Sequence, residues 1–312
     1  SSGILPESRV EIRIPSGEEN KTLDNCKVIW DILLDYNASR HSCLIVIGGG
    51  MLSDMGGLAA SLFKRGMHFI FMPTTLLAQV DASVGGKTAV NYQGVKNIIG
   101  CFNAPDTVII NPDFLETLPE REFLAGFGEM LKHGLIADPD LFKELIGISP
   151  LSPATVSPYL LESISIKSDI VQRDPKEKML RKVLNFGHTL GHGLESVSFN
   201  NPKGTPLLHG EAVMLGMIGE LFLAEKLFHY PESIRKSLEA FFKKNVKISG
   251  IGHLDIEHIT DFIFQDKKNR ADRLYFSLPS SETVMKPEVE VPSSLVREGI
   301  NYVLQFMNEN HQ

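Results

Sequence analysis

The run CLIVIGGG at residues 43–50 most constrains how this chain can fold. It is short, apolar and rich in β-branched residues, it ends in three glycines, and a segment with helical periodicity follows at residues 51–66. Two further apolar runs occur at residues 67–75 and 106–112, the second after the polar segment NYQGVKN, which we interpret as a loop. Short apolar strands separated by helical segments are typical of a parallel sheet covered on both faces. The pattern therefore predicts an α/β N-terminal domain.

The second half of the chain has a different pattern. From LPEREFLAGFGEMLKHGLI onward, strand signals nearly vanish and helical periodicity dominates. The most apolar segment, residues 212–224, is interrupted by Gly216, Gly219 and Glu220, so it predicts a buried helix. We expect an α/β domain over residues 1–112 and an all-α C-terminal domain over residues 113–312.

Composition and charge narrow the class of function. The 312 residues carry a net charge of -7, which argues against a nucleic-acid partner. No apolar run approaches the roughly 18 residues needed to cross a bilayer, and no signal peptide is visible. Cys26, Cys43 and Cys101 lack disulfide or metal-binding spacing, which fits a reducing compartment. We therefore expect a cytoplasmic protein that acts on a small molecule, without nucleic-acid or membrane partners.

The stretch LNFGHTLGHGLES combines polar residues with an apolar background. Arg181, Asn185, His188 and His192 follow one another at steps of four, three and four, so in a continuous helix they would share one face. Burying polar groups without partners is costly, so such a stripe requires water or a ligand. A solvated helix face would explain a single histidine, but four different polar residues bordered by glycines favour a site.

Histidines and carboxylates elsewhere in the second half make a metal site plausible. His209 in LLHGEAV and Glu129 in GFGEMLKHG could join His188 and His192. Two histidines and one carboxylate from separate helices would form an open zinc site with room for substrate oxygens. Spacing alone leaves alternatives open, namely Glu211 and Glu220 as the carboxylate and His133 and His192 as imidazoles.

Two segments of the first half indicate phosphate binding. GGGMLSDMGG follows a strand and opens a helix, where glycines let a pyrophosphate approach backbone N–H groups, although the strict GxGxxG spacing is missing. PTTLLAQVDASVGGKTAVNYQGVKNIIG combines glycines with Lys87, Lys96 and Asn97, which are donors suited to phosphate. Its glycine spacing is not that of a P-loop. Upstream, Glu18 and Lys21 could contact a ribose or an adenine.

Together these segments resemble the family of the 3-dehydroquinate synthases, within the sugar-phosphate cyclases. The matching stretches run in family order from about residue 15 to about residue 270: GGGMLSDMGG, KRGMHFIFMPTTLLAQVDASVGGKTAVN, GVKNIIG, GFGEMLKHGLI, RKVLNFGHTLGHGLES, LLHGEAVMLGM and DKKN. The resemblance implies a homodimeric lyase of the shikimate pathway of aromatic amino acid biosynthesis, with NAD and Zn²⁺ (or Co²⁺) as cofactors. Such an enzyme converts 3-deoxy-D-arabino-heptulosonate 7-phosphate to 3-dehydroquinate and phosphate. The steps are transient oxidation by NAD, phosphate elimination, reduction and intramolecular aldol closure.

The resemblance also implies roles for individual residues. It makes Glu129, His188 and His209 the metal ligands and places His192 beside the substrate as a donor or proton shuttle. For the carboxylate, phosphate and hydroxyls of the substrate it implies Lys132, Lys167, Arg181, Lys87, Asn97, Asn185 and Lys268, with Arg65 reaching a neighbouring subunit's site. For NAD it implies Glu18, Lys21, Gly49, Gly50, Met51, Asp54, Thr74, Thr75, Asp81, Lys87, Lys96 and Thr117.

One departure and three alternatives accompany the resemblance. The family has a further strand, helix and strand before the SGE segment, where only about a dozen residues stand here, so we expect the first strands of the nucleotide domain to be missing. A metal-dependent alcohol dehydrogenase of similar architecture is one alternative, and the GGK and KN segments argue against it. A cyclase for another heptulose or hexose phosphate would share the cofactor and metal residues. A non-enzymatic sensor should have lost Glu129, His188, His209 or Lys132, and none is lost.

Overall fold

The computed structural model describes residues 9–199, 201, 204–266, 274–281 and 284–309. The chain forms two compact units, Ser1–Phe114 and Leu115–Gln312, and the predicted division falls after residue 112. No helix in these described ranges is long and apolar enough to span a membrane.

A three-stranded parallel sheet organises the first unit. Strands β1 (Cys43–Gly48) and β5 (Thr107–Val108) pair on either side of β2 (His68–Pro73), which confirms the predicted parallel arrangement. Helices α1 (Leu23–Asp35) and α2 (Gly50–Leu62) precede and follow β1. The apolar side chains of α2 divide between two buried clusters, one with α1 and one with the sheet. Shorter helical turns of this unit are Glu18–Asn20, Phe63–Arg65 and Ala78–Ala82.

The segment interpreted as the loop NYQGVKN belongs to a β-hairpin, so that interpretation is wrong. Strands β3 (Lys87–Tyr92) and β4 (Val95–Phe102) are antiparallel, and only Gln93 and Gly94 connect them. Both connecting residues have positive φ, 48° and 79°. Type I′ turns have this property, and their twist matches that of a hairpin. The tight turn allows polar residues to continue the strand pairing.

The second unit is mainly helical, as predicted. Its helices are α3 (Glu120–Ala137), α4 (Pro139–Gly147), α5 (Pro153–Val156), α6 (Leu160–Arg173), α7 (His188–Phe199), α8 (His209–Phe228), α9 (Glu232–Asn245), α10 (Ile256–Asp266) and α11 (Ser293–Glu309). Shorter 3₁₀ turns lie at Pro112–Thr117, Ser157–Tyr159, Leu180–Asn185 and Ile251–His253. As the pattern of residues 212–224 predicts, α8 is a buried helix, and both α3 and α7 pack against it.

One hairpin of this unit departs from the all-α domain that the sequence pattern predicts. Strands β6 (Leu274–Ser281) and β7 (Val284–Val291) are antiparallel. Each strand contains a proline, a residue that normally argues against a strand, and this obscured the pattern. The hairpin supports the 3₁₀ turn Leu180–Asn185, since the hydroxyl of Ser277 donates to the carbonyl of Lys182 at 2.6 Å and the ammonium of Lys182 contacts Glu288 at 2.6 Å.

Candidate functional site

The polar stripe predicted around His188 does not lie on one helix. Arg181 and Asn185 belong to the 3₁₀ turn Leu180–Asn185, whereas His188 is the first residue of α7. Gly187 separates the two elements with a φ of 79°. A side chain there would lie 2.5 Å from Met217 Cγ and 2.8 Å from the carbonyl oxygen of Val213, so contact with α8 requires glycine at this bend. Only His188 and His192 share a helix.

A buried carboxylate fixes the first turn of α7. The N–H of Gly187 donates to Glu220 Oε2 at 2.7 Å, and the N–H of Leu190 donates to Oε1 at 3.2 Å. Glu220 therefore satisfies amides that a helix N-terminus leaves unpaired. This contact fixes the position of His188. Because Glu220 caps α7, it is not available as a metal ligand.

Glycines at two helix crossings bring the three ligand-bearing helices together. A Cβ at Gly210 of α8 would lie 1.7 Å from the carbonyl oxygen of Ala125 in α3. A Cβ at Gly216 would lie 1.9 Å from the carbonyl oxygen of Gly187, immediately before α7. The backbones thus touch directly, and each crossing adjoins a histidine or a carboxylate of the predicted centre.

Glu129, His188 and His209 converge, as the resemblance implied. His188 Nε2 lies 3.8 Å from Glu129 Oε1, and His209 Nε2 lies 3.7 Å from the same oxygen. Ligands bound to zinc at about 2.0–2.2 Å are separated by about 3.4 Å in a tetrahedron, so small movements would suffice. Glu129 Oε1 is buried without a hydrogen-bond partner among the described residues, and Oε2 meets the ammonium of Lys132. A buried carboxylate in this state suits a cation, and the three residues fit a divalent metal.

The electrostatics of the cluster also suit a metal. The ammonium of Lys132, one helical turn from Glu129 and equally buried, contacts Glu129 Oε2. Burial, and secondarily the charges of Lys132 and the two other histidines, holds the pKa of His188 well below 6.5. The imidazole of His188 is therefore neutral at pH 7, and its Nδ1–H donates to the carbonyl oxygen of Phe186 at 3.1 Å. A neutral ring keeps a lone pair available for coordination.

His192 lies at the same cluster but is exposed. Its ring centroid is 5.3 Å from that of His188 and 5.7 Å from that of His209, and one ring nitrogen of each histidine lies within 4.8 Å of the others. These distances are compatible with His192 as a ligand or as a group beside the substrate, so its role stays a prediction.

The other ligand candidates have different partners. Arg121 donates to both oxygens of Glu211 at 2.7 Å, and the N–H of Leu208 also donates to this carboxylate at 2.8 Å. The ring of His133 pairs through Nδ1 with the hydroxyl of Ser163 at 2.8 Å. These contacts hold α8 to α3 and α3 to α6, and the contacts of Glu211 give it a structural role.

The predicted carboxylate-binding residues Lys167 and Arg181 are both buried. Arg181 Nη1 donates to the carbonyl of Pro175 at 2.9 Å, and its own N–H donates to Asp174. Backbone N–H groups of the following turn hold the pKa of Asp174 below its usual value. Asp174 thus organises the turn that carries Arg181.

Glu177 is a candidate that the sequence pattern did not indicate. Asn185 Nδ2 donates to Glu177 Oε1 at 2.8 Å. Glu177 has a φ of 54°, unusual for a residue other than glycine, and such strain concentrates at functional sites. Because it lies in an irregular turn, no periodicity could have pointed to it.

In the first unit, the predicted glycine turn opens α2. Gly49 is the N-terminal cap of α2 and offers no side chain to its amides. A Cβ at Gly49 would lie 3.2 Å from Thr75 Cγ2, and a Cβ at Gly50 would lie 3.1 Å from Ala82 Cβ. The glycines let α2 begin close to Thr75 and Ala82, and no side chain caps its first amides, so this turn fits the pyrophosphate of NAD.

Five polar residues of the first unit form a connected network. The buried ammonium of Lys21 donates to Asp54 Oδ2 at 2.6 Å and to Asn97 Oδ1. Asn91 accepts from the N–H of Asn97 at 2.8 Å and donates to Glu18 Oε1 at 2.8 Å. The structure therefore joins Asn97, assigned to phosphate, with Glu18, Lys21 and Asp54, assigned to NAD. Asn91 was missed, although it lies in the quoted segment.

The remaining predicted residues have the following positions. Met51 is in the first turn of α2, Thr74 and Thr75 follow β2, and Asp81 lies in the turn Ala78–Ala82. Lys87 begins β3, Lys96 lies on β4, Arg65 ends the turn Phe63–Arg65, and Thr117 ends the turn Pro112–Thr117; all four are exposed. Lys268 lies outside the described residues.

Comparison with known proteins gives two adjacent family matches. The N-terminal domain of 3-dehydroquinate synthase matches residues 11–125, and its C-terminal domain matches residues 126–269. A 3-dehydroquinate synthase of Parabacteroides distasonis is 38% identical over 297 residues, which cover 95% of this chain and 82% of the relative. One from Acetivibrio thermocellus is 40% identical over 270 residues, covering 85% and 74%.

Solved structures of related cyclases have the same fold. A 2-deoxy-scyllo-inosose synthase, complexed with carbaglucose-6-phosphate, NAD⁺ and Co²⁺, is 28% identical, with a TM-score of 0.81 over 93% of this chain and 82% of the other. The 2-epi-5-epi-valiolone synthase ValA of Streptomyces hygroscopicus subsp. jinggangensis, with NAD⁺ and Zn²⁺, is 25% identical, with a TM-score of 0.81 over 94% and 82%.

Proposed function

Since the chain belongs to the 3-dehydroquinate synthase family, we propose that it converts 3-deoxy-D-arabino-heptulosonate 7-phosphate to 3-dehydroquinate and phosphate. The observation that carries the proposal is the convergence of His188 and His209 on the buried carboxylate of Glu129. Three ligands from three helices leave coordination positions for two substrate oxygens. The reaction is a step of the shikimate pathway of aromatic amino acid biosynthesis.

The cofactors are NAD and a divalent metal, Zn²⁺ or Co²⁺. When bound, NAD takes up and returns a hydride, and the metal polarises substrate oxygens. Glu129, His188 and His209 would hold the metal. The α2 turn at Gly49, Gly50 and Met51 would hold the pyrophosphate, and the other NAD contacts would come from Glu18, Lys21, Asp54, Thr74, Thr75, Asp81, Lys87, Lys96 and Thr117.

Residues around the metal ligands perform the rest of the chemistry. The ammonium of Lys132, beside Glu129, donates to a reacting hydroxyl of the substrate. The exposed imidazole of His192 transfers a proton between the substrate and solvent. The buried cations Arg181 and Lys167 bind the carboxylate, for which the planar guanidinium of Arg181 is well suited. Lys87, Asn97, Asn185 and Lys268 bind the phosphate and its neighbouring oxygens.

The enzyme is a cytoplasmic homodimer in this proposal. The hairpin β3–β4 exposes Tyr92, Val95, Ile98 and Phe102, with about half or more of each side chain accessible. An apolar surface of this kind marks an association surface. The hairpin end adjoins the end of α2, because Asn103 Nδ2 donates to Ser61 Oγ at 2.9 Å. Arg65 follows α2, so it lies beside the proposed interface and serves the other subunit's site. All three cysteines are free, which suits a reducing compartment.

The test is incubation of the full chain with the heptulosonate phosphate, NAD and Zn²⁺, while phosphate and NADH absorbance are followed. Phosphate should be released without a steady accumulation of NADH, because the hydride is returned in each cycle. His209→Ala should lose bound zinc and turnover together, whereas His192→Ala should keep zinc and lose turnover. His258→Ala on α10, an exposed histidine, is the control and should keep both.

A second part of this test compares a carboxylated with a non-carboxylated substrate. Arg181→Ala should weaken transition-state binding of the carboxylated substrate by about 2–5 kcal/mol and affect a non-carboxylated sugar phosphate much less. Equal losses on both substrates would favour a cyclase for another sugar phosphate. Stoichiometric NADH would instead favour an alcohol dehydrogenase, and stoichiometric zinc in His209→Ala would contradict the ligand assignment.

A further inference from the structure

His209 is held between two carboxylates of different helices. Its Nε2 lies 3.7 Å from Glu129 Oε1 on α3, and its Nδ1 lies 3.3 Å from Glu195 Oε2 on α7. The contacts use opposite sides of the ring, so the two carboxylates together define the direction in which Nε2 points. Glu195 carries no role in any of the assignments above.

Glu195 is well placed to act on His209. It lies about two turns after His188 on α7, and only 7% of the residue is exposed. The neighbouring hydroxyl of Ser198 donates to the backbone carbonyl of Glu195 at 2.6 Å and accepts from the N–H of Leu207 at 2.9 Å. This second contact fixes the segment leading into α8 just before His209. The same turn of α7 therefore holds both the side chain of His209 and the backbone segment that precedes it.

The two histidine ligands differ in what faces their second nitrogen. Nδ1 of His188 faces a neutral backbone carbonyl, whereas Nδ1 of His209 faces a carboxylate. A carboxylate that accepts from Nδ1–H selects the tautomer with the lone pair on Nε2, orients the ring and raises its basicity as a ligand. Because His209 begins its helix and is partly exposed, the orientation of its ring depends on this contact.

We propose that Glu195 is a positioning residue that fixes the tautomer and orientation of His209 and thereby sets the metal affinity of the centre. The inference rests on the proposed metal centre of Glu129, His188 and His209. It concerns affinity for the metal itself, so it can be measured without the reaction.

The experiment compares zinc affinity in Glu195→Gln, Glu195→Asp and the wild-type full chain, by competition with a chromophoric chelator. Glu195→Gln should bind zinc about 10–100-fold more weakly, the usual effect of removing such a partner. Glu195→Asp keeps the charge on a shorter side chain and should fall between Glu195→Gln and wild type. The visible spectrum of the Co²⁺-loaded protein should shift in Glu195→Gln, and saturating zinc should restore turnover.

Glu225→Gln is the matched control. Glu225 also lies on α8, and its carboxylate accepts from the buried Arg235 at 2.7 Å. The substitution removes the negative charge from this pair. Glu225 lies about 24 Å along α8 from His209. Its substitution should lower the free energy of unfolding without changing zinc affinity.

The outcomes distinguish a failure of this inference from a failure of the proposed function on which it rests. If Glu195→Gln binds zinc as wild type does and only its stability falls, as in Glu225→Gln, Glu195 is merely structural and the inference is overturned. If wild type binds no zinc, the metal centre is wrong and the inference falls with it. If wild type binds zinc but releases no phosphate, the proposed reaction fails, while the zinc affinities of the Glu195 variants still decide the role of Glu195.

Discussion

The contact between α3 and α8 should be intolerant of a single methyl group. In Gly210→Ala, the new Cβ would lie 1.7 Å from the carbonyl oxygen of Ala125, whereas Cβ contacts under 3.0 Å essentially never occur. The helices must therefore separate by about 1.3 Å. Overpacking of this kind costs about 1–3 kcal/mol, and more where backbone opposes backbone. We expect the free energy of unfolding to fall by at least about 2 kcal/mol.

The same displacement should weaken metal binding, because His209 precedes Gly210 and Glu129 lies one turn after Ala125. Separating the helices would lengthen the 3.7 Å between His209 Nε2 and Glu129 Oε1 to about 5 Å. Two bonds of at most about 2.2 Å cannot bridge that distance. Zinc binding would then have to bring α3 and α8 back together against about 2 kcal/mol of strain. This cost lowers zinc affinity about 30-fold.

Two measurements test this reasoning: urea unfolding of the metal-free protein, followed by circular dichroism, and zinc affinity by chelator competition. Gly147→Ala at the end of α4 is the control, since a Cβ there would meet no atom within 4 Å. It should leave zinc affinity unchanged and alter stability by less than about 1 kcal/mol. Wild-type stability and zinc affinity in Gly210→Ala would refute the claim that this crossing sets the geometry of the centre.

Two further predictions concern the first unit. Ile98→Glu on the exposed face of β3–β4 should halve the mass seen by light scattering, whereas Leu34→Glu, on exposed α1 surface, should not; an unchanged mass would exclude this hairpin as the interface. Burial raises the pKa of Cys26 from 9.0 to about 11, so native protein at pH 8 should be alkylated at exposed Cys43 and not at Cys26. Because the pKa of Cys26 is higher in the folded than in the unfolded protein, the contribution of this thiol to the free energy of unfolding is present below pH 9. It is lost between pH 9 and 11. At pH 10, wild type should have lost about 1 kcal/mol more than Cys26→Ala, measured from pH 8 by urea unfolding; equal losses would contradict this prediction.

The order of the main elements and the chemistry of the site can be predicted from the amino-acid pattern alone. The apolar runs at 43–50 and 67–75 predict strands because burial between helices leaves a direct periodic trace. The same holds for the buried helix at 212–224. Residue type alone also restricted the metal ligands to a few histidines and carboxylates, since only such groups bind zinc in the absence of suitably spaced cysteines.

Which of these groups lie close together depends on how the helices pack. Glu129, Glu211 and Glu220 look alike in sequence, but Glu211 pairs with Arg121, Glu220 caps α7, and Glu129 faces the histidines. Likewise, the bend at Gly187 separates Arg181 from His188 because the chain there touches α8, a contact that no local periodicity encodes. Periodicity records which face of an element is buried, whereas pairings between distant segments depend on packing, and the site is built from such pairings.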